Sequence, residues 1–226
     1  MTGGLKLDLH VHSEHSPDGR SSVDSLVAAL PGAGIQGLAL TDHNSVAGHR
    51  RLRELARERL SLRLLVGVEV STQEGHLLAY GLEESPPPQR PVAETIDWVE
   101  AHGGVPVLAH PFRWSHGVGG HVARTARVPA VESINGHNRP SANTRAAAVA
   151  AARALGSTGG SDAHSPREIG RARTCFPEGA NTVDELLDAL RRGATVAEGE
   201  PLGPHERFVL GIRTFVLRLG RGFRPI

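Results

Sequence analysis

The chain holds a single cysteine, Cys175, among its 226 residues. No internal disulfide can form, and the neighbours Thr174 and Phe176 suit a strand interior. Cys175 is therefore expected to be a small buried hydrophobe, and thiol catalysis is set aside. No run of about 18 apolar residues exists to cross a bilayer, and the N-terminus lacks the basic, apolar and small-residue order of a signal peptide. Together these absences predict a cytoplasmic protein without stable membrane insertion. An excess of one charge is missing too, since 25 Lys plus Arg stand against 24 Asp plus Glu. No global field recruits nucleic acid.

Histidine is plentiful, with 13 residues, several in short motifs beside acids and glycines. Hydrophobic residues at 39% and charged residues at 22% are ordinary globular usage, which excludes disorder. The length suits one core, and a single catalytic domain over residues 1–200 is expected. Residues 201–226 form a basic, apolar tail in which Arg207, Arg213, Arg218, Arg221 and Arg224 face only Glu206. That tail is expected to pack on the domain; contact with nucleic acid or an anionic membrane is the other reading.

Strand and helix patterns alternate along the chain. Residues 5–9 alternate apolar and polar side chains into His10-Val11-His12, and Ser21 or Ser22 can cap a helix that runs through Leu30 and stops near Gly32 and Gly34. Residues 37–41, 64–70, 76–80, 105–109, 128–133 and 157–160 read as strands. Residues 46–60, 93–102, 141–155 and 183–192 read as helices. Proline removes the backbone donor, so 83–91, with Pro86-Pro87-Pro88, is a surface excursion. Residues 112–121 read as a glycine- and histidine-rich loop. Such alternation implies an α/β fold with a mainly parallel sheet, and chemistry at strand ends all round favours a closed barrel.

Those strand ends carry the chemistry. Side chains alternate faces along a strand, so His10 and His12 point the same way and suit one ion. Asp42-His43 ends the second strand, Glu69 ends the third, His76 opens the fourth, His110 ends the fifth, and Asp162 with His164 ends the last. Asp and Glu are rarely buried unpaired, which makes a metal cluster the economical explanation.

The ordered motifs His-x-His at 10–12, Ser-Pro-Asp-Gly at 16–19, Thr-Asp-His-Asn at 41–44, Gly-Val-Glu at 67–69, Ala-His-Pro at 109–111 and Gly-Ser-Asp-Ala-His at 160–164 resemble the PHP (polymerase and histidinol phosphatase) family. The likeness covers about residues 5–198. It implies a distorted seven-stranded (β/α)7 barrel with the metal site at the C-terminal ends of the strands. It also implies two or three divalent ions (Zn, Mn or Fe) and hydrolysis of phosphate esters. Carried over by position, His10, His12, Glu69 and Asp162 surround one ion. Glu69 bridges to a second on His76 and His110, and a third sits on His43, His164 and Asp18. His15 competes with Asp18 for that last place; Asp18 is favoured because Asp-Gly closes the family's loop, leaving His15 to face the leaving group.

Two close cations lower the pKa of a bridging water toward neutrality, so a bridging hydroxide is the expected nucleophile, with no protein base required. Arg113 and Arg139 are candidates to grip phosphate bidentately, and Asn135 shares the Arg139 loop as a further substrate contact, along with His137. Arg20 and Arg167 are weaker candidates. The substrate is expected to be a small phosphomonoester, a nucleotide or an oligonucleotide end, with nucleic acid left open as a partner. His49, His102 and His205 are read as surface residues, and His116 and His121 as part of a loop that could act as a lid. Asp8, on the His10 face of its strand, is read as orienting an imidazole. Two other classes compete. An amidohydrolase-like C–N hydrolase also opens with His-x-His but needs a carboxylated lysine at a strand end, and Lys6 is the only lysine. A non-catalytic metal-binding regulatory domain needs missing ligands, and none is plainly missing.

Overall fold

The computed structural model of the chain describes residues 4–203 and Glu206. Apart from those positions, the expectations for the 201–226 tail and for His205 lie outside the described residues. Strands β1 (Lys6–Val11), β2 (Gly37–Leu40) and β3 (Arg63–Ser71) pair in parallel. Strand β4 (His76–Tyr80) runs antiparallel to both β3 and β5 (Val105–Leu108). Parallel pairing resumes through β6 (Ala130–Asn135) and β7 (Gly156–Gly160). On the other flank, β8 (Ala172–Cys175) is antiparallel to β1 and to β9 (Val196–Gly199).

The resulting nine-stranded order is β7-β6-β5-β4-β3-β2-β1-β8-β9. The sheet curls until β7 meets β1, where Val11 bridges Ala163 and the Asp162 amide donates to the His10 carbonyl at 2.8 Å. The barrel is nearly closed but has nine mixed strands, in place of the distorted, mainly parallel seven-stranded barrel expected. One reason is local: only residues 72–75 join β3 to β4, too few for the dozen-residue crossover that parallel strands need. Strand β9 was not anticipated; it is short and partly exposed, so it carries no apolar run to read.

The helices are α1 (Val23–Ala33), α2 (His49–Glu58), α3 (Val92–Ala101), α4 (Gly119–Thr125), α5 (Pro140–Ala152) and α6 (Val183–Arg191). The Ser22 side chain accepts from the Ser25 amide to start α1, and Gly34 ends it in the left-handed region at φ 68°. Thr182 and Glu185 cap α6 reciprocally. Helix α4 occupies part of the expected 112–121 loop and extends past it, with Ala123 buried as its anchor. Among the described residues no helix is long and apolar enough to cross a membrane.

Alternation along the strands divides the core. Leu38 and Leu40 face α1 and α2, packing with Leu26, Leu30, Leu52 and Leu55. Ala39, on the opposite face, joins Leu7, Leu9, Leu65, Leu78, Tyr80 and Val107 around Leu186, Leu187 and Leu190 of α6. Leu187 sits against Gly81, past the far end of β4, so α6 fills the end of the interior away from His76. Continuing at spacing two from Leu65 brings Glu69 to the inner face, and stepping back from Leu78 brings His76 there.

Candidate metal centre

Both oxygens of the buried Glu69 carboxylate are surrounded by imidazole. Oε2 lies 3.0 Å from His10 Nε2, 3.2 Å from His12 Nε2 and 3.3 Å from His43 Nδ1. Oε1 lies 2.7 Å from His76 Nδ1 and 2.8 Å from His110 Nε2. Asp162 Oδ1 approaches His12 Nε2 at 3.3 Å, and Asp18 Oδ2 lies 2.9 Å from His164 Nε2 and 3.4 Å from His43 Nε2. His10, His12, Asp18, His43, Glu69, His76, His110, Asp162 and His164 thus form overlapping triads whose donor atoms lie within 4.8 Å of one another.

The donor set fits divalent cations. Burial opposes ionisation of Glu69, yet His10, His43 and His76 hold its carboxyl well below the usual range. Asp162 is likewise held down, chiefly by Arg113 and His10, and Asp18 by His164 and His43, against burial in each case. Burial would lower His12, but the neighbouring Asp162 and Glu69 carboxylates raise it to about 10. His110 goes the other way, pushed down to about 3 by burial and by Arg113, which leaves a neutral ring with a lone pair to offer. His12 Nε2 and His43 Nδ1 are buried and aligned for a hydrogen bond with no partner. Orphaned nitrogens beside ionised carboxylates are what a cation would satisfy.

The backbone bends sharply to bring these groups in. His110 and Asp162 adopt φ of 24° and 58°, a left-handed region that L residues enter at a cost of order 1–3 kcal/mol. Gly160 lets the strands close, since a Cβ there would lie 2.3 Å from His10 Cβ and 2.9 Å from Glu132 Oε1.

Glu132 escaped the sequence analysis. Its Oε1 accepts from His10 Nδ1 at 2.9 Å, and Oε2 accepts from the His110 amide at 2.8 Å and Asn135 Nδ2 at 3.1 Å. The available signal was a lone charge inside the otherwise uncharged 128–133 strand. Asn135, expected at the substrate, is fully buried instead. Its amide donates to Glu132 and Asp162 and its carbonyl oxygen accepts from Arg113 and the His137 amide, which makes it internal bracing. Arg113 donates to Asp162, Asn135 and Asn138 through Nη2 and Nε, leaving Nη1 without a partner among the described residues.

Asp8 does not orient an imidazole. It accepts from the amides of Ser161, Gly170 and His10 and from the Ser161 hydroxyl, tying the loop after β7 to β1; burial nonetheless pushes its carboxyl up to about 6. Asp42 is occupied by the Ser13 amide and hydroxyl, not by the cluster. His15 is exposed near Gly48 and hydrogen-bonds through its ring to none of the nine residues, so the leaving-group contact assigned to it finds no support. Arg139 is exposed at the start of α5.

The remaining described histidines divide. His49 is buried, with Nε2 2.9 Å from the Gly67 carbonyl oxygen, and is no surface residue. His102 is exposed, as expected, and its ring stacks on Trp98. His116 stacks on His76 with ring centroids 4.7 Å apart, and His137 stacks on His164 at 5.5 Å. Burial pushes His137 down to about 3. Cys175 is only partly buried, and its thiol is raised to about 11 by what burial there is and by Glu198.

The family model described as PHP domain matches residues 8–156. The chain belongs to the PHP domain family. A PHP-associated model follows over residues 140–195. Among relatives, an uncharacterized Methanocaldococcus jannaschii protein, MJ1587, is 28% identical over 118 residues, covering 48% of this chain and 68% of that one. A phosphoribosyl 1,2-cyclic phosphate 1,2-diphosphodiesterase of Eggerthella lenta is 37% identical over 86 residues, covering 35% of this chain but only 32% of its own length. The crystal structure of PsfC from Pseudomonas syringae superposes with a TM-score of 0.70 at 17% identity, covering 96% of this chain and 99% of that one; this likeness concerns the fold.

Proposed function

We propose that this PHP-domain enzyme holds two or three divalent cations on the nine converging residues and hydrolyses phosphate esters. The carrying observation is Glu69, whose two oxygens face separate histidine sets: His10, His12 and His43 on Oε2, His76 and His110 on Oε1. A carboxylate so placed can serve two cations at once. Bound cations would supply Lewis acidity and a water that ionises near neutrality, the nucleophile expected from the sequence. His10, His12 and Asp162 would hold the first ion with Glu69. His76 and His110 would hold the second, and Asp18, His43 and His164 the third.

The chain's own residues do the rest. Glu132 fixes His10 so that Nε2 faces Glu69. Arg113, braced by Asn135 and Asn138, turns its unpartnered Nη1 to a phosphoryl oxygen, and Arg139 provides a second cationic contact at the rim. The Eggerthella relative, named for a phosphodiester reaction, supports the substrate class. The C–N hydrolase alternative loses ground because Lys6 pairs with Glu198 at 2.8 Å at the opposite end of β1 from His12. The test is elemental analysis of the purified chain, followed by phosphate release from AMP, ribose 5-phosphate, a nucleoside 3′,5′-bisphosphate and short oligonucleotides. Two or three ions and turnover of at least one ester are expected. A metal-replete protein that cleaves none overturns the reading.

A further inference from the structure

Trp114 is the most exposed large hydrophobic residue described, at 102% of the reference area. Its position is what distinguishes it, because single exposed apolar side chains are common. It follows Arg113, whose guanidinium reaches Asp162, and lies two residues before His116, which stacks on His76. Consecutive Cα atoms are about 3.8 Å apart, so the Trp114 backbone sits at the rim of the centre.

The loop that carries it is fixed at both ends. The Arg113 amide donates to the His110 carbonyl and the Gly119 amide to the Pro111 carbonyl, each at 2.9 Å. The His76 amide donates to the His116 carbonyl at the same distance. An exposed indole on a pinned backbone contributes nothing to the core, and its point of attachment at the rim is fixed.

The surroundings select an anion. Arg20, Arg139 and Arg167 are exposed on the loops after β1, β6 and β7, at the same end of the barrel as the cluster. None of the three forms an ion pair with a described residue. Arg113 Nη1 has no partner among the described residues. A ligand that offers both a planar ring and phosphate matches this rim, and base stacking on an aromatic side chain contributes about 1–3 kcal/mol.

We propose that Trp114 is a stacking platform for a nucleobase carried beside the scissile phosphate, so that the enzyme selects nucleotides over phosphorylated sugars. The proposal rests on the phosphoesterase reading for its catalytic arm only. In the full, metal-loaded chain, AMP should quench indole fluorescence, and Trp114→Ala should lose that quenching while the remaining Trp98 signal stays unchanged on addition of AMP. Ribose 5-phosphate should quench neither protein. The ratio of kcat/KM for AMP over ribose 5-phosphate should fall about tenfold in Trp114→Ala, mainly through KM for AMP, with Trp114→Phe keeping most of it. Quenching that persists in Trp114→Ala, an unchanged ratio, or equal losses on both substrates would overturn the platform. Absence of all hydrolysis with Trp114-dependent quenching intact would instead sink the phosphoesterase reading and leave the base site standing.

Discussion

Glu132 and His10 meet inside the barrel, Oε1 to Nδ1 at 2.9 Å, while the other nitrogen of the same ring lies 3.0 Å from Glu69. A carboxylate behind a histidine fixes the tautomer and directs the remaining lone pair forward. Glu132→Gln is therefore expected to lower metal affinity and turnover by about 10- to 100-fold in a protein with native circular dichroism. Metal titration checks it; unchanged affinity would reduce Glu132 to a support for the His110 amide.

Glu69→Gln should have the larger effect, because the amide replaces one of the two oxygens with a group that cannot ligate and removes the negative charge that both histidine sets share. Metal content should fall by about one ion per chain or more, and turnover by more than about a hundredfold. Elemental analysis beside initial rates reads both. A folded Glu69→Gln protein with full activity would remove the shared-ligand role.

Metal-stripped protein should lose thermal stability as pH rises. His12 titrates near 10 in the folded chain, raised by Asp162 and Glu69 against burial, but near 6.5 when unfolded. The folded state therefore retains a proton that the unfolded state releases between those values. This contribution is complete below about pH 6.5 and vanishes as pH climbs through about 10. The melting temperature of chelator-treated protein should fall from pH 7 to pH 10, and metal uptake at pH 7 should release protons. A flat profile with no proton release would show His12 neutral in the metal-free chain.

Arg139→Ala and Asn135→Ala should separate binding from bracing. Arg139 is exposed, so its loss should raise KM several-fold at unchanged metal content. Asn135 is buried with its amide engaged on both sides, and its removal strands Arg113 and Asp162 partners at about 1–3 kcal/mol each. Thermal melts and KM values decide it; a stable Asn135→Ala protein with raised KM would return Asn135 to the substrate.

The sequence exposed the cluster because its members interrupt or end apolar runs, as Glu69 does after Leu64–Val68 and His110 after Val105–Ala109. Facing was harder to read. Asp42 and Asp162 both precede or nearly precede a histidine after a strand, but Asp42 serves Ser13, whereas the left-handed backbone of Asp162 turns it inward. Glu132 was hidden because both its histidine partners lie far away in the chain. The β3–β4 hairpin was legible as two strands with a short link, but its reversal of the parallel order was missed. His49 was misjudged because its acceptor, the Gly67 carbonyl, is a backbone atom that no motif advertises.

The closure of β7 onto β1 has a consequence for biosynthesis. The centre takes His10 and His12 from the first strand, but Asp162 and His164 arrive only after the seventh, when Val11 and Ala163 bridge. A chain made only as far as residue 150 lacks both Asp162 and His164, although it already contains Glu69, His76 and His110. The nine-residue set is therefore complete only when the segment through residue 164 has closed onto β1.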